Sequence, residues 1–184
     1  MDITVIALAL VLFIVVFAII QYNKLIRLNI QVDEGFSQIE VQLKRRADLI
    51  PNLVETVKGY ATQEREVFER VVQARAASTT ASTLPAVAAA DGALTNALRG
   101  LLAVAEAYPD LKSSTNFLQL QEELATTENK VSFARQFYND TVRSLNTAVK
   151  TIPSSLFVGL AKVGEREFYE VDDPAVRNAP NVKF

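Results

Sequence analysis

A chain of 184 residues holds one ordinary domain and leaves no room for a large two-domain enzyme. Its composition, 49% hydrophobic but only 8% aromatic with six glycines, six prolines and no tryptophan, is too poor in turn formers and aromatics for a sandwich or barrel and predicts an all-α fold. The absence of histidine and cysteine excludes His- or Cys-ligated zinc, thiol redox, Ser-His-Asp triads and disulfide frameworks, and 19 basic against 21 acidic residues are too balanced for binding nucleic acid by phosphate neutralisation.

Residues 3 to 20 read ITVIALALVLFIVVFAII, eighteen positions without a charge, a glycine or a proline. At 1.5 Å per residue the run is ~27 Å long, close to the hydrocarbon thickness of a bilayer. With no polar face it is expected to be a single transmembrane helix rather than a buried core helix. A cleaved signal peptide fits less well, because Met1-Asp2 supplies no basic n-region and Ala18-Ile19-Ile20 no small-x-small site. Lys24 and Arg27, against no basic residue on the amino side, direct the carboxy-terminal domain to the cytoplasm, with a periplasmic or extracellular domain as the alternative. Tyr22, Lys24 and Arg27 are the expected membrane-interface residues, an aromatic at headgroup level and two stems able to snorkel. The organisation expected is an anchor over 1–21, a helical bundle over 22–163 with a flexible segment at 76–92, and an irregular tail over 164–184.

Beyond the anchor, apolar residues recur in steps of four and three: Val32, Phe36, Ile39, Leu43, Ile50, Leu53, Val57, Tyr60, Val67, Val71 and Ala74, with Arg46 and Glu64 as polar interruptions. One heptad phase over that length predicts a long coiled-coil-like helix in an antiparallel up-and-down bundle. Pro51 stands inside it. Proline costs ~3 kcal/mol in a helix interior and pushes the residue before it out of the α region, which allows a break between Ala47 and Ile50 with Asp48 as a new N-cap. The unbroken phase from Leu43 to Ile50 favours a kinked but continuous helix instead, and the sequence leaves both open.

The segment 76–92, AASTTASTLPAVAAADG, is small, polar and of low complexity, so it reads as the mobile tip of the bundle. A second helix is expected from about 85 to 108, with Leu94, Leu98, Leu101, Leu102 and Ala105 on one face and Pro109 as its stop. Gly92 and Gly100, at ~1 kcal/mol each, make it the weakest of the set. The third helix starts near Ser114 and carries Phe117, Leu124, Val131, Tyr138, Leu145 and Ile152 on one heptad line. Leu120, Thr127, Ala134, Thr141 and Ala148 form the next line, mostly small, so a neighbour can approach closely. Pro153 ends it, Leu156 to Leu160 allow one short helix, and the tail is expected to pack through Val182 and Phe184.

Chemistry has few places to reside. Lys44-Arg45-Arg46 lies ~36 Å along a helix from the anchor, beyond several Debye lengths, so it serves the protein or a partner rather than a membrane surface. Arg46 occupies a seam position and needs a carboxylate, with Glu106 and Glu128 as candidates, because a buried charge without a partner is expensive. Adjacent Glu122-Glu123 and Asp172-Asp173 diverge on a helix, a di-iron bundle site needs histidine, and there is no phosphate-binding glycine loop or nucleophile elbow. No catalytic, cofactor-binding or metal residue is therefore expected. Ile26, Ile30, Val41, Leu49 and Val54 widen the first helix's apolar surface beyond what two short neighbours cover, and Ile26, Ile30 and Val41 are the self-association candidates.

Several motifs together resemble one family. They are LKRRADLIPNLVETVKGYA (43–61), Tyr22-Asn23, Ala74-Arg75, AEAYPDLK (105–112), NFLQLQEELATTENKV (116–131), AR-x-x-YND (134–140), Pro153 and the PNVKF ending (180–184). From about residue 22 onward, and most weakly across 76–92, the chain is similar to the LemA family. The resemblance implies a single-pass membrane protein with a helical-bundle soluble part, in a family without an established biochemical activity and linked loosely to stress, envelope or organelle-membrane functions. It transfers no catalytic residue. Many members carry a basic amino terminus or a lipoprotein cysteine, implying an exported domain; Asp2 stands here instead, which leaves orientation to the chain's own charges. The expected function is a non-catalytic membrane scaffold or interaction protein, homo-oligomeric, without cofactor or nucleic-acid partner. The alternatives are an adaptor or regulator of a membrane protease or transporter and, less well supported, a carboxylate-dependent hydrolase.

Overall fold

The structure, a computed structural model, describes residues 3–170, and the expected tail contacts of Val182 and Phe184 and the pair Asp172-Asp173 lie outside the described residues. The elements are α1 (Ile3–Lys58), α2 (Arg65–Thr80), α3 (Leu84–Glu106), α4 (Pro109–Lys112), α5 (Thr115–Lys150), a 3-10 turn (Ser154–Phe157) and α6 (Val158–Ala161). No strand occurs among the described residues, and the fold is an all-α helical bundle in which α1 begins with the apolar run. Contacts divide the chain into two compact units. Among the described residues, unit 1 comprises those up to Gln38 with Ala134–Phe168, and unit 2 comprises Ile39–Phe133 with Tyr169 and Glu170.

Helix α1 passes through Pro51 without a break, so the continuous reading holds. The physical reason lies in α2. Proline has no N–H to donate to the carbonyl four residues back, and that carbonyl, Ala47 O, accepts a hydrogen bond from Arg75 Nε at 2.8 Å instead. The heptad phase does not continue to Ala74 in one helix as expected. Helix α1 stops at Lys58, where the Gly59 N–H bonds Glu55 O and the Ala61 N–H bonds Val57 O, and Ala61 is driven into the core while Tyr60 faces outward. Val67, Val71 and Ala74 belong to the separate helix α2, whose buried residues are Phe68 and Val71.

The low-complexity segment 76–92 is helical except at residues 81–83. Pro85 sits in the first turn of α3, where its missing N–H is harmless, and Val87, Ala88, Ala90 and Asp91 are all buried. Pro109 likewise opens α4 after α3 has ended at Glu106. On α5 the large line buries Phe117, Leu124, Val131, Tyr138 and Leu145, and the small line buries Thr127, Ala134, Thr141 and Ala148. Ile152 departs from that line: it lies past the helix end and faces outward.

Each unit has its own core. In unit 1, Leu25, Val32, Val142 and Leu145 are fully buried, and Gly35 lets α1 meet α5 closely, since a Cβ there would lie 3.2 Å from the Cα of Tyr138. In unit 2, Ile50, Leu53, Val57, Ala61, Phe68, Val71, Leu94, Leu98, Leu101, Leu111 and Phe117 form one contiguous apolar cluster. Val54 is buried in it and Leu49 packs against it, so the free apolar stripe of α1 is narrower than the sequence suggested.

Candidate functional site

The most polar assembly in unit 2 is built on Arg46. Seam geometry aims this side chain inward from α1, and it is 4% exposed. Its Nη1 donates to Asp91 Oδ1 and to Thr95 Oγ1, both at 3.1 Å. Its Nη2 lies 2.9 Å from Glu128 Oε2, an ion pair without hydrogen-bond alignment. Asp91 is completely buried, and its Oδ2 also accepts a hydrogen bond from the Tyr169 hydroxyl at 2.8 Å. Thr95 is held in turn by donating to the Asp91 carbonyl at 2.9 Å.

Arg46 thus pairs with Asp91 and Glu128, whereas Glu106 is exposed at the end of α3 and is not a partner. Asp91 and Tyr169 escaped sequence reasoning. A signal for Asp91 existed: Val87, Asp91, Leu94, Leu98, Leu101 and Ala105 keep the four–three step, which puts this carboxylate in the seam of α3 as Arg46 is in the seam of α1. Low-complexity composition concealed it. Nothing comparable announced Tyr169. An arginine and an aspartate enclosed to this degree cannot meet a substrate, and what they supply is a buried, directional link between helices.

The surface of unit 2 offers a groove of about 530 Å³ along α2 lined by Lys58, Thr62, Arg65, Phe68, Glu69, Val72 and Gln73, with the Lys58 ammonium 5.4 Å over the Phe68 ring. No group of three or more acidic residues that could hold a metal occurs among the described residues.

In unit 1 the segment that follows α6 is tied to helix faces through backbone groups at Arg166 and Glu167. Asn146 donates to Arg166 O and accepts from the Arg166 N–H, both at 2.9 Å, and the Tyr138 hydroxyl donates to Glu167 O at 2.9 Å. The Arg166 guanidinium pairs with Asp33. Burial pushes the Tyr138 phenol up from its ordinary value of 10.0, with Glu167 and Asp33 adding to the rise and Arg166 opposing it.

At the amino end of the same unit, the apolar run has a mean hydropathy of 3.4 and no residue of it is fully buried, although Phe17 and Ala18 are partly covered. The first fully buried residue of α1 is Leu25. Tyr22, Lys24 and Arg27 are exposed in this changeover, as are Ile30 and Val41 further along, while Ile26 is half-buried. Phe133 and Phe137, four apart on α5 and off both heptad lines, are exposed as well and were not singled out from sequence.

Comparison with known proteins gives a family match and distant relatives. The model of the LemA family matches residues 35–184. A magnetosome protein MamQ 2 of Paramagnetospirillum magneticum is 22% identical over 178 residues, covering 83% of this chain and 65% of the relative. Magnetosome protein MamQ of Magnetospirillum gryphiswaldense is 24% identical, covering 73% and 59%, and protein LemA of Metamycoplasma hominis is 24% identical, covering 85% and 75%. The chain therefore spans less than two thirds of the length of these magnetosome relatives.

Proposed function

Because this chain belongs to the LemA family, we propose that it acts as a membrane-anchored scaffold: a helical bundle held at a bilayer by its first helix, self-associating, without catalysis, and with its carboxy-terminal domain on the cytoplasmic side. The observation that carries this reading is the contrast between a sealed polar interior and an open apolar exterior. Arg46 and Asp91 are spent on each other inside unit 2, while Ile30 and Val41 on α1 and Phe133 and Phe137 on α5 stand in water. Apolar side chains of this size gain when covered, and tethering in a plane raises the effective concentration of copies so that weak contacts suffice. The apolar run itself has no small-xxx-small face to drive association. Lys24 and Arg27 support the cytoplasmic side through the positive-inside rule, and Tyr22 suits the interface.

The absence of cysteine makes the test direct. Single cysteines at Ile30, Val41 and Phe133 in the full-length protein should form intermolecular crosslinks in membranes, and Ile30→Glu with Val41→Glu should abolish them while helicity is retained. The same cysteines in intact cells should resist an impermeant thiol reagent. A full-length protein that is monomeric both in detergent and in bilayers would sink the scaffold reading, and labelling from outside would reverse the orientation.

A further inference from the structure

The turn after α5 is built inside out. Between the end of α5 and α6 the polar residue Ser154 is buried at 1% exposure, whereas the large aliphatics Ile152, Leu156 and Leu160 are 80%, 74% and 69% exposed. A turn facing water has the opposite arrangement. The three aliphatics are spaced four apart, and Lys150 and Lys162 bracket them, Lys150 paired with Glu165 and Lys162 in a left-handed conformation at φ 51° where α6 ends.

The location of this turn within unit 1 supplies the occupant. The Ser154 hydroxyl donates to Gln21 Oε1 at 2.9 Å, the first polar side chain after the apolar run. The Phe157 ring meets the Phe17 ring edge-on, centroids 6.4 Å apart. Phe17 lies one helical turn, about 6 Å, inside the run from Gln21. If residues 3–20 cross a bilayer, Phe157 is therefore level with the outer hydrocarbon, and the aliphatics flanking it face lipid. Lys24 and Arg27, exposed on α1 within about 9 Å of Gln21 along the helix, are then placed to reach headgroup phosphates.

We propose that residues 152–160 form a second membrane contact: a short wedge seated at the boundary between headgroups and hydrocarbon beside the spanning helix, with the bilayer lipids as its partner. The proposal rests on the reading of residues 3–20 as a membrane span. Continuity with that span favours lipid over a second protein copy, because the exposed face begins where the span's own lipid-facing surface ends. A helix crossing alone is free to rotate and tilt; one with a wedge at its base holds the attached unit at one rotational setting.

The test uses the full-length chain, with no native cysteine, in vesicles of phosphatidylcholine and phosphatidylglycerol. A polarity-sensitive fluorophore is attached to single cysteines at Leu156, Leu160, Phe13 in the span and exposed Thr147 on α5. Lipids carrying a spin-label quencher near the headgroup should quench Leu156 and Leu160 several-fold more than Thr147, and lipids labelled near the chain end should quench Phe13 best. If Leu156 and Leu160 respond only to aqueous iodide, like Thr147, while Phe13 is quenched by lipid, the wedge is overturned and the span stands. If Phe13 also escapes lipid quenching, the span reading falls and the wedge with it. Intermolecular crosslinking at Leu156 without lipid quenching would identify a second copy as the occupant and overturn the assignment to lipid.

Discussion

The two units hold their helices together by different devices. Unit 1 relies on close approach and on backbone recognition: Gly35 brings α1 against the Cα of Tyr138, and Asn146 and Tyr138 hold the segment at Arg166 and Glu167 through its peptide groups. Unit 2 relies on a contiguous apolar cluster crossed by two long polar side chains, Arg46 reaching Asp91 and Glu128, and Arg75 reaching the Ala47 carbonyl. Small residues make the first device sensitive to added volume. Enclosed charges make the second sensitive to the removal of a partner, since an unpaired buried charge costs more than the pair contributes.

The largest effect expected from this contrast is in unit 2. Arg46→Ala should lower the stability of the full-length protein in detergent by about 3–5 kcal/mol, because Asp91 has no access to water. Arg46→Met combined with Asp91→Leu should cost far less, and urea midpoints for the three proteins decide it. A near-neutral Arg46→Ala change would mean that the charges are not what joins α1 to α3.

Unit 1 should respond to a single methyl. Gly35→Ala should cost about 1–3 kcal/mol, since the neighbouring atom is backbone and cannot step aside. Gly100→Ala on α3, where a Cβ meets nothing within 4 Å, should instead stabilise by up to ~1 kcal/mol. Equal effects at the two glycines would erase the distinction between packing and propensity.

Arg75→Ala should cost about 1–3 kcal/mol by leaving the Ala47 carbonyl unpaired. With Pro51→Ala present as well, the restored N–H at position 51 can satisfy that carbonyl, so the cost of losing Arg75 should shrink. Additive losses in a double-mutant cycle would show that Arg75 acts through packing alone.

The smallest effect is on pH dependence. The Tyr138 phenol is raised in the folded state, so the folded chain holds its proton more tightly than the unfolded chain does. The resulting stability is fully present below the ordinary phenol value of 10.0 and is lost as pH rises through the raised one. Melting temperature should therefore fall more steeply above that value in the wild type than in Tyr138→Phe. Parallel profiles would remove Tyr138 from the account.

What the sequence determined alone was the all-α class, from composition, and part of what is written in hydrophobic period: the apolar run, the heptad lines of α5 as far as Leu145 and Ala148, and the demand that Arg46 find a carboxylate. Period reports which face of a helix is buried, and an interior charge follows from it. Tertiary structure decided which groups answer across space. Asp91 shares the pairing of Arg46 with Glu128, and Glu106 has no part in it. Arg75 takes over the carbonyl that Pro51 cannot serve, and the chain turns at Gly59 although the apolar phase runs on past it. A heptad phase is indifferent to a short turn whose length happens to preserve it, and partner choice depends on distances between helices that no local pattern encodes.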